Sequence, residues 1–498
     1  MLYKKPIFYS ALLLTAVNLI LRLVSTSFQV YLSAKIGSAG IGLLQLVLSV
    51  GSMATIAGIA GIRTATMYIT ARELGKKKPE NVGHVLSACL LYSIICSTII
   101  AIVFFCLSPI IASKWIGNIG ASPAIQLLAC FLPVTCLTAV MAGYFTAANR
   151  IGTLAIVEIL EQFFSISITM IFLIFWAKNN KEKACQSIIL GTGISSSIAL
   201  FTLMLLRLKE KAALAPPFPV TKDLLDTSVP LAVADDLKAG INTAENMIVP
   251  KRLALYPKAG DPLAIFGTVC GMVFPVMMFP AAIVYSLAEL LMPEMARCNA
   301  AGSKIRIQYL TKQSLRLVLI YSTFFSGLMY LLSKPLCIHL YGNNDAGRYL
   351  AQYCPMIPML YCDTIIDAIN KGLGQQKVCV KINIATASLD VALLFVLLPR
   401  YGMMGYMISF LIVHLINFLL SLRLLVKTTE CNILILPTIL IMIINIVSCL
   451  LCSNITDNLL RLLIFPILFF TMLITCNIIN MEDMLWAKSL LKIKHHEL

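Results

Sequence analysis

Apolar residues run through this chain in long blocks, divided by short connections that hold most of its lysine and arginine. A helix rises about 1.5 Å per residue, so about 20 apolar residues are needed to cross a bilayer. On that measure the chain predicts fourteen spans: 7–34, 41–70, 82–108, 121–146, 152–177, 185–207, 222–250, 263–293, 305–333, 349–370, 378–398, 403–426, 432–452 and 460–480. The stretches 222–250 and 349–370 carry acidic residues and fit the pattern least well. Lys4 and Lys5 before the opening block give it the outline of a signal peptide. The block continues past Arg22 to about Ala34 and leads into another apolar stretch, so it is read as the first span. The expected fold class is all-α, a polytopic membrane protein with about fourteen transmembrane helices.

The longest connection is proline-rich, around Pro216, Pro217 and Pro219, and reads as a cytoplasmic joint over 211–221. It separates an N-terminal set of six spans (1–210) from a C-terminal set of six (222–428). Two further helices and a basic tail occupy 429–498. Ala147-Ala148-Asn149-Arg150 has a faint echo in Gly374-Gln375-Gln376-Lys377, and Arg22 a counterpart in Lys238, at similar offsets. Such offsets are what two parallel repeats would leave. An even span count puts both termini on one side. That side then holds 23 of the lysines and arginines, the opposite side 12, and the spans themselves four. The positive-inside rule therefore favours cytoplasmic termini.

Composition agrees with the spans. Only 12% of the 498 residues are charged, and the mean hydropathy is +0.89. Soluble domains carry roughly 25% charge, so most of this chain faces lipid or other helices. The net charge of +16 follows from the loop cations and does not call for nucleic acid. The sixteen cysteines are mostly single residues inside apolar runs, where cysteine packs as a small hydrophobe. The Cys449-x-x-Cys452 pair lies in an uncharged stretch of 26 residues and reads as packing on one helix face. No zinc spacing, nucleotide-binding loop, nucleophile elbow or HExxH pattern occurs, and the histidines are isolated or in the tail. Neither an enzyme nor a cofactor or metal is expected.

Charge within the spans carries the functional reading, because an ionisable side chain at the bilayer centre costs about 2.5–3.5 kcal/mol even on a lenient scale. Helical spacing puts Asn18, Arg22, Ser25, Thr26 and Gln29 on one face of the first span. Gln45, Ser49, Ser52 and Arg63 share a stripe on the second. On the seventh, Thr227, Ser228, Asp235, Lys238, Asn242, Glu245 and Asn246 align, with Asp236 off the stripe. Glu158, Glu161, Gln162, Ser165 and Thr169 align on the fifth, and Asp363, Asp367 and Asn370 on the tenth. Aligned stripes on several helices imply a shared water-filled cavity. Structural readings stand beside this one. Asp235 and Lys238 can neutralise each other, Arg63 and Glu245 can snorkel to headgroups, and the other acids can pair with neighbouring helices. Arg22, mid-span with no acid three or four residues away, is hardest to explain structurally. Gly267, Gly271, Pro275 and Pro280 interrupt the eighth span, as residues bending a helix around a cavity do.

Six segments carry a family resemblance: LILRLVSTSFQVYLSAKIGSAGIGLLQL (19–46), GIAGIRTATMYITAREL (58–74), AGYFTAANRIG (142–152), NTAENMIVPKRL (242–253), YSLAELLMPEMA (285–296) and INKGLGQQK (369–377). Through them the chain resembles the stage V sporulation protein B-like polysaccharide exporters. That group lies within the multidrug/oligosaccharidyl-lipid/polysaccharide (MOP) flippase superfamily. The resemblance implies two six-helix lobes around a central cavity, two additional helices, and alternating access. Its implied cargo is an undecaprenyl-linked sugar intermediate. In peptidoglycan-lipid flippases of the superfamily, cavity arginines bind the cargo diphosphate, and Arg22 and Arg63 lie on matching helices. The acids of the seventh span, Asp235, Asp236 and Glu245, depart from a purely anion-binding cavity.

The leading expectation is a flippase in the bacterial cell membrane. It would move a lipid-linked oligosaccharide or peptidoglycan precursor, for instance for the spore cortex. Arg22, Arg63, Lys238, Asn18, Gln45 and Asn242 would bind the substrate. Asp235, Glu245, Glu158 and Asp363 would position those cations or couple an ion. The alternatives are an H⁺- or Na⁺-coupled multidrug antiporter of the same superfamily and a non-transporting scaffold for cell-wall synthesis proteins. The expected partners are the lipid-linked substrate, the bilayer and cell-wall synthesis proteins.

Overall fold

The computed structural model describes residues 5–59, 61–75, 81–148, 150–177, 180–208, 221–257, 260–431 and 435–478. Within these, the side chains of 5–18, 75, 151, 221–231, 233–235 and 435–436 are left undescribed. Among the described residues seventeen α-helices follow one another: α1 Lys5–Ile59, α2 Ile62–Gly75, α3 Asn81–Ile110, α4 Ser122–Ala147, α5 Ile151–Phe172, α6 Lys181–Leu208, α7 Thr221–Leu253, α8 Pro262–Thr268 and α9 Phe274–Met277. Then come α10 Ala281–Ala300, α11 Lys304–Tyr341, α12 Asn344–Tyr353, α13 Ile357–Gly372, α14 Gln376–Tyr401, α15 Met403–Thr429, α16 Ile435–Ser453 and α17 Asn458–Thr475. No strand occurs among the described residues.

Among the described residues, each of the fourteen predicted stretches falls mainly on helix, while the predicted joint lies outside them except for residue 221. Nine described helical runs are long and apolar enough to cross a membrane, or ten if the bent pair Pro262–Met277 and Ala281–Ala300 is one span. The first of these, Leu19–Leu74, is 56 residues long and takes in two predicted spans at once. The difference from fourteen has physical reasons. α7 is too charged, and α16 is a shorter apolar helix over Pro437–Ser453. The 349–370 stretch is broken between α12 and α13 at Cys354–Met356, where Pro355 starts a new turn.

The helix breaks have identifiable chemistry. α1 changes direction at Gly37, whose φ of 68° and ψ of 175° fall where only glycine sits comfortably. The bent eighth span contains a π-helical turn at Val269–Val273 and turns by 62° before Ala281. Pro275 and Pro280 lie on either side of that corner. α8 opens with Pro262 in its first turn and Asp261 as its cap, the Asp261 carboxylate accepting from the Leu263 and Ala264 N–H groups.

Packing divides the chain into two compact units. One comprises 1–275 with 383–413, the other 276–382 with 414–498. In the first, α2, α3, α4 and α6 enclose a core of Ile62, Ile69, Tyr144, Phe145 and Leu203. Where α1 passes α8 the backbones nearly touch. A Cβ added at Gly267 would lie 2.0 Å from the Ser38 carbonyl, and one at Gly42 would lie 2.2 Å from the Leu263 carbonyl. Paired small residues of this kind let membrane helices approach closely. In the second unit, Phe324 of α11 stacks with Phe465 of α17 and meets Phe469 at a tilt. Cys449 of α16 meets Gly327 of α11, so this half of the CxxC pair serves as a packing residue. Large apolar side chains such as Ile102, Phe175 and Ile467 stay exposed, as a lipid-facing surface requires.

Candidate functional site

The first unit gathers most of the polar stripes. Asn246 of α7 donates from Nδ2 to Ser49 Oγ of α1 at 2.8 Å, and Thr243 donates to the Ser49 carbonyl at 3.1 Å. The predicted stripes of the second and seventh spans thus meet face to face. Gln29 donates from Nε2 to the Gly271 carbonyl at 3.2 Å, tying the first half of α1 to the π-helical turn. Gln45 lies against the same turn, its Cγ 3.7 Å from where a Gly271 Cβ would stand.

Next to Asn246 on α7 sits an acidic pair. Glu245 lies within hydrogen-bonding reach of Asp390 on α14. Ser409 of α15 donates to Asp390 Oδ1 at 2.5 Å. Three helices therefore converge on two carboxyl groups and a hydroxyl. On the face of α7 that carries Glu245, Asn242 and Lys238 are exposed. Their exposure makes this face of α7 polar.

A second polar group lies on α5. Arg63 of α2 is close enough to Glu158 for their charges to attract, while Glu161 accepts from Ser196 Oγ of α6 at 2.5 Å. Beside it is a cavity of about 310 Å³, lined by Ser52, Thr55, Phe131, Thr135, Thr192 and Ser196 among others. The unit thus holds an acid pair on α7 and α14 and a cation–acid group on α2 and α5.

The remaining predicted residues fall elsewhere. Arg22 is half-buried on α1. Asp363 belongs to the second unit, where its Oδ2 accepts from Asn417 Nδ2 at 2.8 Å. Its stripe-mate Asp367 forms a 2.6 Å ion pair with Lys371. The side chains of Asn18 and Asp235 lie outside the described residues. Asp236, off the predicted stripe, is near enough to Tyr92 of α3 for its charge to be felt there. Sequence reasoning missed Asp390 and Ser409. The signal was available for Asp390, the one acid in the apolar block 378–398. Ser409, a hydroxyl among apolar residues, gives no such signal.

Residues 14–171 match the MatE family model. The chain is 21% identical over 417 residues to stage V sporulation protein B of Bacillus subtilis (strain 168), covering 81% of this chain and 80% of that protein. Among solved structures it is similar to the lipid II flippase MurJ in an inward closed conformation. The TM-score is 0.69 at 13% identity, covering 95% of this chain and 97% of that one. It is also similar to an inward-facing multidrug resistance MATE family transporter of the MOP superfamily. There the TM-score is 0.66 at 12% identity, covering 85% of this chain and all of that one. The resemblance expected from six short segments thus extends through the fold. This chain is a polytopic membrane protein whose residues 14–171 match the MatE family model and whose fold is similar to those of a lipid II flippase and a MATE transporter.

Proposed function

We propose that this protein is a flippase that carries a lipid-linked oligosaccharide or peptidoglycan precursor across the bacterial cytoplasmic membrane by alternating access, with both termini in the cytoplasm. The observation that carries the reading is the α7 face, where exposed Lys238 and Asn242 stand one to two turns from the Glu245–Asp390 pair. A cation and an amide donor suit a phosphate, and a neighbouring acid pair suits a coupling proton or cation. The similarity to stage V sporulation protein B and to a lipid II flippase supports this cargo class and a role in spore or wall synthesis. In this proposal the two lobes are 1–210 and 222–428. Arg22, Arg63 and Lys238 bind the diphosphate, assisted by Asn18, Gln45 and Asn242. Glu245 and Asp235, now joined by Asp390, bind the coupling ion. Glu158 positions Arg63, and Asp363 serves the C-terminal lobe.

The test is Arg22→Ala in a flipping assay at equal membrane abundance. Loss of a charge-assisted contact to phosphate, about 1.5–3 kcal/mol, predicts a fall of roughly 10- to 150-fold. Unchanged transport would remove Arg22 from the mechanism. A multidrug antiporter is the second reading, favoured by the acid pair and the similarity to a MATE transporter. Ion-dependent dye efflux with no lipid-precursor phenotype would support it instead.

A further inference from the structure

The first unit contains a crevice apart from the polar stripes, with a volume of about 230 Å³. It lies where the first half of α1 ends, where the π-helical turn Leu173–Ala177 follows α5, and where α6 begins. Its polar lining is Tyr31, Lys35, Asn180 and Lys181, and the rest is apolar, including Ile36 and Ile174.

Each polar group there is a donor on hand for an anion. Lys35 and Lys181 are exposed, and neither has an ion pair among the described residues. Asn180 caps α6 by accepting the Lys183 N–H at its Oδ1, at 3.0 Å, which leaves its amide NH₂ free to donate. The 28-residue helix it caps adds the partial positive charge of its N-terminus. The adjacent acid, in the first turn of α6, is engaged elsewhere. Glu182 accepts from Asn118 Nδ2 at 3.2 Å and packs on Gly120, outside the crevice lining.

The surroundings set the depth. Phe175 is 75% exposed and Trp176 38% exposed, and Trp176 makes an edge contact with Phe172. Exposed aromatics at a helix end mark the boundary between hydrocarbon and water. The cations are also out of keeping with their side. In the orientation that the positive-inside rule favours, this end is the non-cytoplasmic face, which holds 12 lysines and arginines against 23 on the other. Lysine on the depleted face, beside a cavity at headgroup depth, calls for a local anion.

We propose that this crevice binds the phosphate headgroup of one anionic membrane lipid, with Lys35, Lys181 and Asn180 on the phosphate and Ile36 and Ile174 along its glycerol and upper acyl chain. The volume is smaller than the ~300 Å³ at which pockets for drug-sized ligands begin, which suits a headgroup and not a whole glycolipid cargo. The site is therefore separate from the transport pathway, and the proposal stands whether or not the flippase reading holds.

The experiment uses the full chain in nanodiscs of phosphatidylcholine with a minor fraction of phosphatidylglycerol. Native mass spectrometry counts the phosphatidylglycerol that is retained. A lysine facing an anionic lipid contributes about fivefold in affinity, so Lys35→Gln with Lys181→Gln lowers apparent affinity about 30-fold. Lys35→Arg with Lys181→Arg retains binding, and so does Lys183→Gln, which removes a nearby exposed charge that does not line the crevice. Equal phosphatidylglycerol retention by the double glutamine variant and wild type would overturn the proposal. So would full displacement of the lipid by soluble glycerol phosphate at matched concentration, since the site would then be one for a free anion.

Discussion

The seam between α1 and α8 gives the sharpest test of the packing. A methyl group placed on Gly267 would stand 2.0 Å from the Ser38 carbonyl oxygen, 2.5 Å from the Gly42 nitrogen and 2.9 Å from the Gly42 Cα. All three obstacles are backbone, so no side chain can rotate away. Carbon contacts shorter than about 3 Å are not tolerated in close-packed interiors, and Gly267→Ala has to part the two helices by about 1 Å. Overpacking of this kind costs about 1–3 kcal/mol. Gly240 on α7 provides the control, because nothing lies within 4 Å of its added Cβ. There the same substitution gains about 0.5–1 kcal/mol, through the lower chain entropy of alanine in a helix. Thermal unfolding of the purified protein in detergent, followed by a thiol-reactive dye on its buried cysteines, reads both. Gly267→Ala lowers the midpoint and Gly240→Ala raises it. Gly42→Ala meets the Leu263 carbonyl across the same seam, so combining it with Gly267→Ala costs less than the two single effects together. A Gly267→Ala protein as stable as wild type would refute the close approach.

Three further outcomes follow from other parts of the molecule. If the proposed coupling role holds, Glu245→Gln and Asp390→Asn each reduce transport, and because the two carboxyls act as one pair, the double variant is no worse than either single. Multiplying losses in a proteoliposome assay would separate the two residues. Gly37→Ala places a side chain at φ 68° and ψ 175° and destabilises by about 1–3 kcal/mol despite open space around it, visible as a lower unfolding midpoint. Lys304→Ala removes the exposed 3.1 Å pair with Glu430 and changes stability by no more than about 1 kcal/mol; a larger drop in the same melt would contradict the surface character of that contact.

Much of the architecture was legible before the structure because the bilayer imposes a length rule on apolar sequence. Polar stripes were legible for a related reason: helical spacing alone puts Ser49 on one face of α1 and Asn246 on one face of α7. What spacing cannot supply is the partner across the gap. Nothing in residues 242–253 names Asp390 as the neighbour of Glu245, since that pairing joins positions 145 residues apart. Asp363 illustrates the converse. Like Glu245 it is an acid of a predicted span, yet its partner is Asn417, on a different unit of the chain from the acid pair. The break in α1 is shorter than the apolar pattern predicts, for a local reason. A six-residue connection between spans was expected over 35–40, whereas helix resumes directly on both sides of one glycine.

That single-residue break has a mechanical consequence. Two spans joined by a loop can drift independently, since slack absorbs the displacement of either. Residues on either side of Gly37 have no slack, and the only soft degrees of freedom between them are the two torsions of one α-carbon. A tilt of the Arg22-bearing segment is therefore passed on as a swing of the Gln45- and Ser49-bearing segment, like motion through an elbow. Inserting a flexible Gly-Ser linker at this point would uncouple the two arms while leaving each helix intact.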